Sequence, residues 1–298
     1  MNVGFIGLGL MGRPMAQHIA AGGHTLHLWA RRAASLDPFR DGELATRAVL
    51  HDSAVAVASA ADVVITMVAD APDVEQVLFG ACGIATATHQ GLTVIDMSTI
   101  GPAAARDIGH RLQAAHIDFL DAPVSGGEVG AINATLTIMA GGDQAVFERC
   151  LPLLQLMGKS VVLVGSGGAG QVAKACNQIL TGVGIVAVAE AMAFAKQSGV
   201  DPARVREAML GGFAYSRILE NHGQRMIDGN FKPGFKGWMH QKDLRIVMEE
   251  SRQLGLTLPS SAATGKMFDA LVAKGLGEED SIAVLKLIEA SAGSLDGT

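Results

Sequence analysis

The stretch VGFIGLGLMGRPMAQHIAAGGH, residues 3–24, starts as an apolar run, breaks into glycines and continues with the spacing of a helix. Its glycines follow the pattern Gly7-x-Gly9-x-x-Gly12. In a dinucleotide-binding turn the first glycine permits the tight turn, the second admits a pyrophosphate, and the third lets helix and strand pack closely. We therefore predict a dinucleotide held at a helix N-terminus; a glycine-rich turn without a ligand is the alternative.

Strands and helices alternate from this turn to about residue 160. Short runs rich in valine and isoleucine predict strands at 3–6, 25–29, 63–68, 93–96, 118–121, 136–139 and 161–164, with helices at 14–21, 103–115 and 144–157. This alternation is typical of a parallel sheet covered by helices on both faces. We predict an α/β protein whose residues 1–164 form a Rossmann-like, doubly wound, NADP-binding domain.

The pattern changes after the glycine-rich segment 165–170. Residues 171–197 predict one long helix that is apolar almost all round and therefore buried. Later helices are predicted at 202–210, 238–254, 260–273 and 280–290. Because no clear strand follows, we predict an all-helical domain over 165–298, joined by the long helix, for substrate binding and oligomerisation.

Composition narrows the class of protein. The 298 residues suit two domains, and a net charge of −6 without a basic block gives no electrostatic support for nucleic-acid binding. The three scattered cysteines indicate a reducing compartment and neither a disulfide framework nor a zinc site. No signal peptide precedes the first strand, and the apolar run 179–195 is too short for a convincing membrane span. We expect a cytoplasmic protein with no metal, nucleic-acid or membrane partner.

The end of the second predicted strand bears on the choice of cofactor. NAD-binding proteins usually place an acidic residue there to bind the ribose hydroxyls. This chain has Leu28-Trp29-Ala30-Arg31-Arg32 instead. Two guanidinium groups suit a 2′-phosphate, so NADP(H) is favoured; NAD(H) stays possible, because both arginines could be ordinary solvated residues.

A polar stripe lies on the long apolar helix. Gln171, Lys174, Asn177, Gln178 and Thr181 share one face at spacings of three and four. Buried polar groups need partners, so this face should meet something polar. Burial lowers the pKa of a lysine towards the range useful for proton transfer. Lys174 is therefore a candidate acid/base; a lysine that reaches the surface or pairs with a buried acid is the alternative.

A second constellation, Asp121-Ala122-Pro123-Val124-Ser125-Gly126-Gly127, follows a predicted strand. Two glycines after a strand can present backbone N–H groups to an anion, and Ser125 adds a hydroxyl donor. Ligands of doubly wound sheets bind beyond the carboxyl ends of the strands. The segment thus predicts an anion site, with a simple turn as the alternative.

Together these residues resemble the β-hydroxyacid dehydrogenase family, which includes 3-hydroxyisobutyrate dehydrogenase. The resemblance covers nearly the whole chain and rests on four motifs: Gly-Leu-Gly-Leu-Met-Gly at 7–12, Asp-Ala-Pro-Val-Ser-Gly-Gly at 121–127, Gly-x-x-x-Lys-x-x-Asn at 170–177, and Lys-Asp-Leu at 242–244. Within the family, residues 211–214, 216–219 and 231–235 look most like the tartronate semialdehyde reductases. The resemblance implies an NAD(P)-dependent oxidoreductase acting on CH–OH groups, assembled as a homodimer or homotetramer.

The resemblance also implies roles for single residues. Lys174 would be the catalytic general acid/base with Asn177 orienting the substrate, and Ser125, Gly126 and Gly127 would hold the substrate carboxylate. The cofactor-binding residues would be Gly7, Leu8, Gly9, Leu10, Met11, Gly12, Arg31, Arg32, Val68, Ala69, Thr99 and Lys242. The chain departs from the family pattern at Ala30 and Arg32, at Val68-Ala69, where a backbone contact is implied, and at Trp238, which could narrow the pocket.

The implied reaction is reduction of tartronate semialdehyde to D-glycerate, a step of glyoxylate metabolism. Relatives acting on succinic semialdehyde, glyoxylate, methylmalonate semialdehyde or 3-hydroxyisobutyrate would share the fold and the lysine. Imine reductases share the architecture but generally lack that lysine. A non-catalytic dinucleotide-binding module is less favoured, because Lys174 and Asn177 are both present.

Overall fold

The computed structural model describes residues 1–41, 43–88 and 91–292. The chain divides into two compact units, Met1–Lys174 and Ala175–Thr298. In the described part of the first unit the strands are β1 (Asn2–Ile6), β2 (Thr25–Trp29), β3 (Ala48–Leu50), β4 (Val63–Thr66), β5 (Thr93–Asp96), β6 (Asp118–Asp121), β7 (Val124–Ser125), β8 (Leu136–Gly142) and β9 (Gly158–Gly165). The helices are α1 (Gly12–Ala21), α2 (Ala54–Ala60), α3 (Ala71–Phe79), α4 (Pro102–Ala114), α5 (Gly127–Ile132) and α6 (Gln144–Leu154).

These strands form one sheet in the order β3-β2-β1-β4-β5-β6-β8-β7, with β9 paired to β8. Neighbours from β3 to β6 are parallel, whereas β8 is antiparallel to both β6 and β7. The strand order reverses between β1 and β4, which is the point where doubly wound sheets bind ligands. The predicted Rossmann-like α/β fold is confirmed, and its sheet is mixed beyond β6.

Both faces of the sheet are buried at its central strands β1, β4 and β5, whereas β3 and β9 have exposed side chains. Val3 and Phe5 of β1 join a core cluster that includes residues of α1 and α6. Ile6 joins a second cluster on the other face, with residues of α2, α3 and α4. This division follows from the alternation of side chains along a strand, and it leaves the strand ends and their loops as the exposed edge.

The second unit has helices joined by loops in its described residues, 175–292, which contain one isolated bridge, between Lys236 and Asp280, and no strand. It contains most of α7 (Ala169–Gln197), which begins in the first unit, together with α8 (Pro202–Leu210), α9 (Arg217–Ile227), α10 (Gly237–Gln253), α11 (Pro259–Ala273) and α12 (Val284–Ala292). Its core cluster includes Ile185, Ala189, Phe268 and Leu271. The helical character of this half is confirmed; the boundary at residue 164 and the separate role of 165–298 stay predictions.

Helix α7 departs from the predicted burial. Val172, Leu180 and Phe194 lie along one exposed face, and the last two are 73% and 76% exposed, so the prediction of burial all round is wrong. By length and composition α7 could cross a membrane, but half of its most apolar window is buried inside the protein. A core helix of a soluble protein can have the same length and apolar composition, so these two properties are weak evidence for a membrane span.

Candidate active site

The three glycines of the first turn meet three different requirements. Gly7 has a φ of +105°, and a Cβ there would lie 2.1 Å from the carbonyl oxygen of Met67. A Cβ on Gly12 would lie 1.9 Å from the oxygen of Gly7. Gly9 faces open space: among the described residues, no atom beyond its own chain neighbours lies within 4 Å of its Cβ position. Two glycines are thus required by packing, and the second leaves room for a ligand to approach the backbone.

The start of α1 suits an anion. Its N-cap, Met11, makes no side-chain capping hydrogen bond, and no acidic residue lies in the first turn. Backbone N–H groups at a helix N-terminus carry partial positive charge and attract phosphates. Of the two leucines in the turn, Leu8 is buried in the core and Leu10 is exposed. The residues present therefore fit the pyrophosphate of a dinucleotide.

Arg31 and Arg32 are exposed just beyond β2. The Arg31 guanidinium lies 3.1 Å from the carboxylate of Asp73, in the first turn of α3. The side chain of Arg31 is 83% exposed. Such exposed ion pairs are worth only about 0–1 kcal/mol, so the contact leaves Arg31 able to bind a phosphate. No local pattern in the sequence indicates this contact, because Asp73 lies on α3, 42 positions from Arg31.

The carboxyl ends of β4 and β5 are joined through buried polar groups. Asp96 accepts hydrogen bonds from the Thr66 hydroxyl at 2.8 Å and from the Ser98 N–H at 3.2 Å. The Ser98 hydroxyl in turn accepts the N–H of Val68 at 2.9 Å. These bonds fix the two segments that contain the predicted cofactor-binding residues Val68, Ala69 and Thr99. Ala69 is exposed and Thr99 is half-buried.

The predicted carboxylate-binding loop has an unusual backbone. Gly126 and Gly127 have φ angles of +137° and +62°, a region that side chains disfavour. Gly126 precedes α5, and Ser125, at the end of β7, is half-buried. In the part of the chain that the structure describes, no atom beyond the neighbours of Gly127 lies within 4 Å of a Cβ built there. The backbone alone requires this glycine pair, and the open space at Gly127 also admits a small anion.

The start of α7 is attached to β6 through Asp121. This fully buried carboxylate accepts the backbone N–H groups of Gly168 at 2.7 Å and Gln171 at 2.8 Å. Burial raises the pKa of Asp121 to about 6, while the two N–H bonds lower it and the charge of Asp96 raises it further. The last residue of β6 therefore caps the helix that carries Lys174.

The side chain of Gln171 connects α7 to the loop after β5. Its Nε2 donates to the carbonyl oxygen of Ser98 at 2.8 Å, and its Oε1 accepts the N–H of Ile100 at 3.2 Å. Gln171 is 1% exposed and Lys174, one turn further along α7, is 6% exposed. The first unit thus contains a buried lysine next to the anchored start of the helix.

The remaining members of the polar stripe belong to the second unit. Asn177 donates to the Gln178 Oε1 at 2.7 Å, and Gln178 donates to Asp243 of α10 at 2.6 Å. Lys242 lies 3.3 Å from the other oxygen of Asp243. The side chains of Gln178 and Asp243, for which the sequence predicted no role in the reaction, thus link Asn177 to Lys242.

Trp238 lies at the start of α10, where it lines an open groove of about 320 Å³ together with Val272, Gly275, Gly277 and Glu278. Its predicted effect on a substrate pocket stays a prediction. Within the described ranges, no group of three or more histidine, cysteine or acidic side chains is arranged to hold a metal ion.

The sheet order, the glycine turn and the buried lysine define a Rossmann-type oxidoreductase. Residues 2–165 match the family model of the NAD binding domain of 6-phosphogluconate dehydrogenase, and residues 168–288 match that of the NAD-binding region of NADP-dependent 3-hydroxyisobutyrate dehydrogenase. The chain belongs to the 3-hydroxyisobutyrate dehydrogenase-like β-hydroxyacid dehydrogenases, which are NAD(P)-dependent enzymes acting on CH–OH groups. This confirms the family resemblance.

Individual relatives match nearly the whole chain. The 2-hydroxy-3-oxopropionate reductase of Escherichia coli is 46% identical, over 97% of both chains. The L-threonate dehydrogenase of Cupriavidus necator is 36% identical, over 96% of this chain and 95% of its own. The crystal structure of 3-hydroxyisobutyrate dehydrogenase from Salmonella typhimurium has a TM-score of 0.85 at 33% identity, covering 96% of this chain and 99% of its own.

Proposed function

We propose that this enzyme reduces tartronate semialdehyde, 2-hydroxy-3-oxopropanoate, to D-glycerate, and that it prefers NADPH to NADH. The observation that carries the reaction type is Lys174, a lysine with 6% exposure on a helix anchored beside the strand ends. The choice of substrate is supported by the 46% identity to the Escherichia coli reductase over 97% of the chain.

In the reaction, the side chains of this protein stabilise the developing negative charge and donate the proton. The reduced dinucleotide, when bound, supplies the hydride to the aldehyde carbon. Negative charge then develops on the carbonyl oxygen, where the Lys174 ammonium stabilises it and donates a proton to give the alcohol. Lys174 is left neutral and recovers its proton from solvent. A positioned proton donor of this kind typically contributes about 10²–10⁴-fold to the rate.

Binding of the substrate carboxylate is assigned to the loop after β7. The Ser125 hydroxyl and the N–H groups of Gly126 and Gly127 would hold it, supported by the positive φ angles of both glycines. Asn177, three residues after Lys174 on α7, would orient the substrate hydroxyl and carbonyl. Fixing the carboxylate aligns the aldehyde carbon for hydride transfer, because orientation makes the reaction effectively unimolecular.

The dinucleotide is assigned to the first turn and the neighbouring strand ends. The turn Gly7–Gly12 would hold the pyrophosphate, and Arg31 and Arg32 would bind the 2′-phosphate that distinguishes NADP(H). The segments at Val68-Ala69 and Thr99 would contact the nicotinamide half, as would Lys242. The open Cβ position of Gly9 supports the first of these assignments.

We further propose that the enzyme is a homodimer or homotetramer in the cytoplasm, without nucleic-acid or membrane partners. The exposed apolar side chains Leu180, Phe194 and Phe213 support self-association, since large apolar side chains in water favour burial against a partner. Sedimentation equilibrium of the purified protein tests the oligomer. A monomer at micromolar concentration would contradict it.

The substrate is tested by comparing kcat/KM for tartronate semialdehyde, succinic semialdehyde, glyoxylate and methylmalonate semialdehyde, each with NADPH and NADH. Because one methylene in a pocket is worth about 1–3 kcal/mol, we expect tartronate semialdehyde to lead by roughly tenfold or more. The reverse direction is measured with D-glycerate, L-threonate and 3-hydroxyisobutyrate. A higher kcat/KM for any other aldehyde would reject the proposed substrate and leave the reaction type in place.

A further inference from the structure

Two buried side chains hold the first turn of α7 from different directions. The Asp121 carboxylate accepts two N–H groups at the start of the helix, so it limits movement along the helix axis. The Gln171 side chain extends sideways to the carbonyl of Ser98 and the N–H of Ile100. A lateral attachment limits rotation about the axis. Together, Asp121 and Gln171 therefore restrict both the translation of the helix along its axis and its rotation.

Rotation of α7 about its axis would displace the side chain of Lys174. An atom on the outside of a helix lies about 6 Å from the axis, so a rotation of about 10° moves it by about 1 Å. Displacement of a reacting group by about 1 Å can cost about 10²-fold in rate. Gln171 and Lys174 are three residues apart and therefore on the same face of the helix, so the Gln171 contacts hold that face in place.

The same contacts also fix the segment that contains Thr99. Gln171 bonds to Ser98 on one side of Thr99 and to Ile100 on the other. Ser98 is in turn bonded to the loop after β4 through the N–H of Val68. One glutamine therefore sets the separation between the lysine-bearing helix and the loops assigned to the dinucleotide.

The start of α7 packs closely against Asp121 at two glycines. A Cβ on Gly141 would lie 2.6 Å from the Asp121 Oδ1, and one on Gly170 would lie 2.5 Å from the Asp121 carbonyl oxygen. Only glycine at these two positions lets the helix start approach β6 and β8 so closely. This accounts for the glycine four residues before Lys174 without any contact to a ligand.

We infer that Asp121 and Gln171 are positioning residues for proton transfer: they anchor α7 so that Lys174 keeps a fixed place relative to the Thr99 segment and to residues 125–127. The inference rests on the proposed function, in which Lys174 is the proton donor. Neither side chain is assigned to touch the substrate or the dinucleotide, so both act through the helix.

The first test is Gln171→Met, which keeps the length of the side chain and removes both hydrogen bonds. We expect kcat to fall about 10²-fold, while the Kd for NADPH, measured by its fluorescence, changes less than about twofold. The primary deuterium isotope effect on kcat with 4-deuterated NADPH should rise, because hydride and proton transfer become more rate-limiting. Amide exchange at Ile100 should accelerate, since its acceptor is lost.

The matched control is Ile108→Ala, a fully buried core position on α4 that has no part in these contacts. It should lower thermal stability without raising the isotope effect. A loss of folded enzyme alone lowers kcat in proportion to the inactive fraction and leaves the isotope effect unchanged. The same pattern in Gln171→Met would overturn the positioning role.

Asp121→Asn provides an independent variant, because the amide keeps the shape but places an N–H₂ group opposite one of the two donors. It should lower kcat and raise the isotope effect in the same way. Wild-type kcat and isotope effect in both variants, beside an inactive Lys174→Ala, would overturn this inference alone. Near-normal turnover by Lys174→Ala would overturn the proposed function and this inference with it.

Discussion

The Asp121 carboxylate accepts the backbone N–H of Gln171 at 2.8 Å, so the final residue of β6 caps the helix that carries the candidate catalytic lysine. The same aspartate begins the segment that ends in Ser125, Gly126 and Gly127. One buried side chain therefore joins the predicted carboxylate-binding loop to the lysine-bearing helix. The proposed binding of the substrate carboxylate and the proposed proton donation by Lys174 both depend on this contact between Asp121 and Gln171.

Replacement of Lys174 by alanine should abolish most of the turnover. We expect kcat to fall by about 10²–10⁴-fold, because the proton donor is lost, with the Kd for NADPH within about twofold of wild type. Steady-state kinetics and fluorescence titration measure the two effects. Lys196→Ala serves as a control on the same helix, since this exposed lysine pairs with Glu289 in the second unit. Equal activity of the two variants would contradict the role of Lys174.

The glycines of the first turn should respond differently to alanine. Gly9→Ala should fold normally, because nothing lies within 4 Å of the new Cβ, yet bind NADPH at least about tenfold more weakly, because the methyl group occupies the pyrophosphate position. Thermal unfolding and fluorescence titration test the two parts. Undiminished NADPH affinity in Gly9→Ala would argue against pyrophosphate binding at this turn.

Gly12→Ala should instead destabilise the first unit, because its Cβ would collide with the Gly7 carbonyl at 1.9 Å. Gly265→Ala, within α11 and with open space at its Cβ, is the control. This control should be neutral or stabilising by up to about 1 kcal/mol, since alanine favours helix. A Gly12→Ala variant as stable as Gly265→Ala would contradict the packing described for the turn.

Cofactor preference should depend on the charges beyond β2. Arg31→Ala and Arg32→Ala should each raise the KM for NADPH by about tenfold and leave that for NADH within about twofold, because only NADPH carries the 2′-phosphate. Asp73→Asn should lower the KM for NADPH, since it removes the carboxylate 3.1 Å from Arg31. If both arginine variants change the two KM values equally, the arginines do not select the cofactor.

Asp121 should make stability depend on pH in a defined direction. Burial raises its pKa from 3.8 to about 6, so ionisation costs the folded state more than the unfolded state. The stability it contributes is complete below about pH 3.8 and is lost as the pH rises through about 6. The free energy of unfolding of wild type, relative to Asp121→Asn, should therefore fall between about pH 4 and pH 7.5.

Urea unfolding of the two proteins at matched pH values measures this difference. Because the other titrating groups are common to both proteins, their contributions largely cancel. A difference that rises with pH would mean that the N–H groups of Gly168 and Gln171 outweigh the desolvation of the carboxylate. A difference independent of pH would mean that the carboxylate titrates alike when folded and unfolded.

Local requirements explain what could be predicted from the sequence. The glycine turn is recognisable because its three glycines stand at a fixed spacing directly after the first strand, and β2 matches its predicted range, Thr25–Trp29. The strands β3 and β7 were missed because three and two residues carry too little pattern. Helix α9 was also missed, although Ser216 caps it by accepting the N–H of Leu219.

The contacts that shape the candidate site were beyond prediction because they join distant parts of the chain. Asp121 and Gly168 are 47 positions apart, and Arg31 and Asp73 are 42 apart. Lys174 was recognisable as a polar residue on an apolar helix, whereas the attachment of that helix through Gln171 depends on the sheet order, which no local pattern encodes.

The most direct test of the proposed function is the initial rate of NADPH oxidation by the purified enzyme with tartronate semialdehyde, beside the same assay with NADH. We predict rapid turnover with NADPH, a lower kcat/KM with NADH, and almost no turnover with Lys174→Ala in either assay. Absence of turnover by the wild-type enzyme with both cofactors, although NADPH binds, would contradict the proposed reaction.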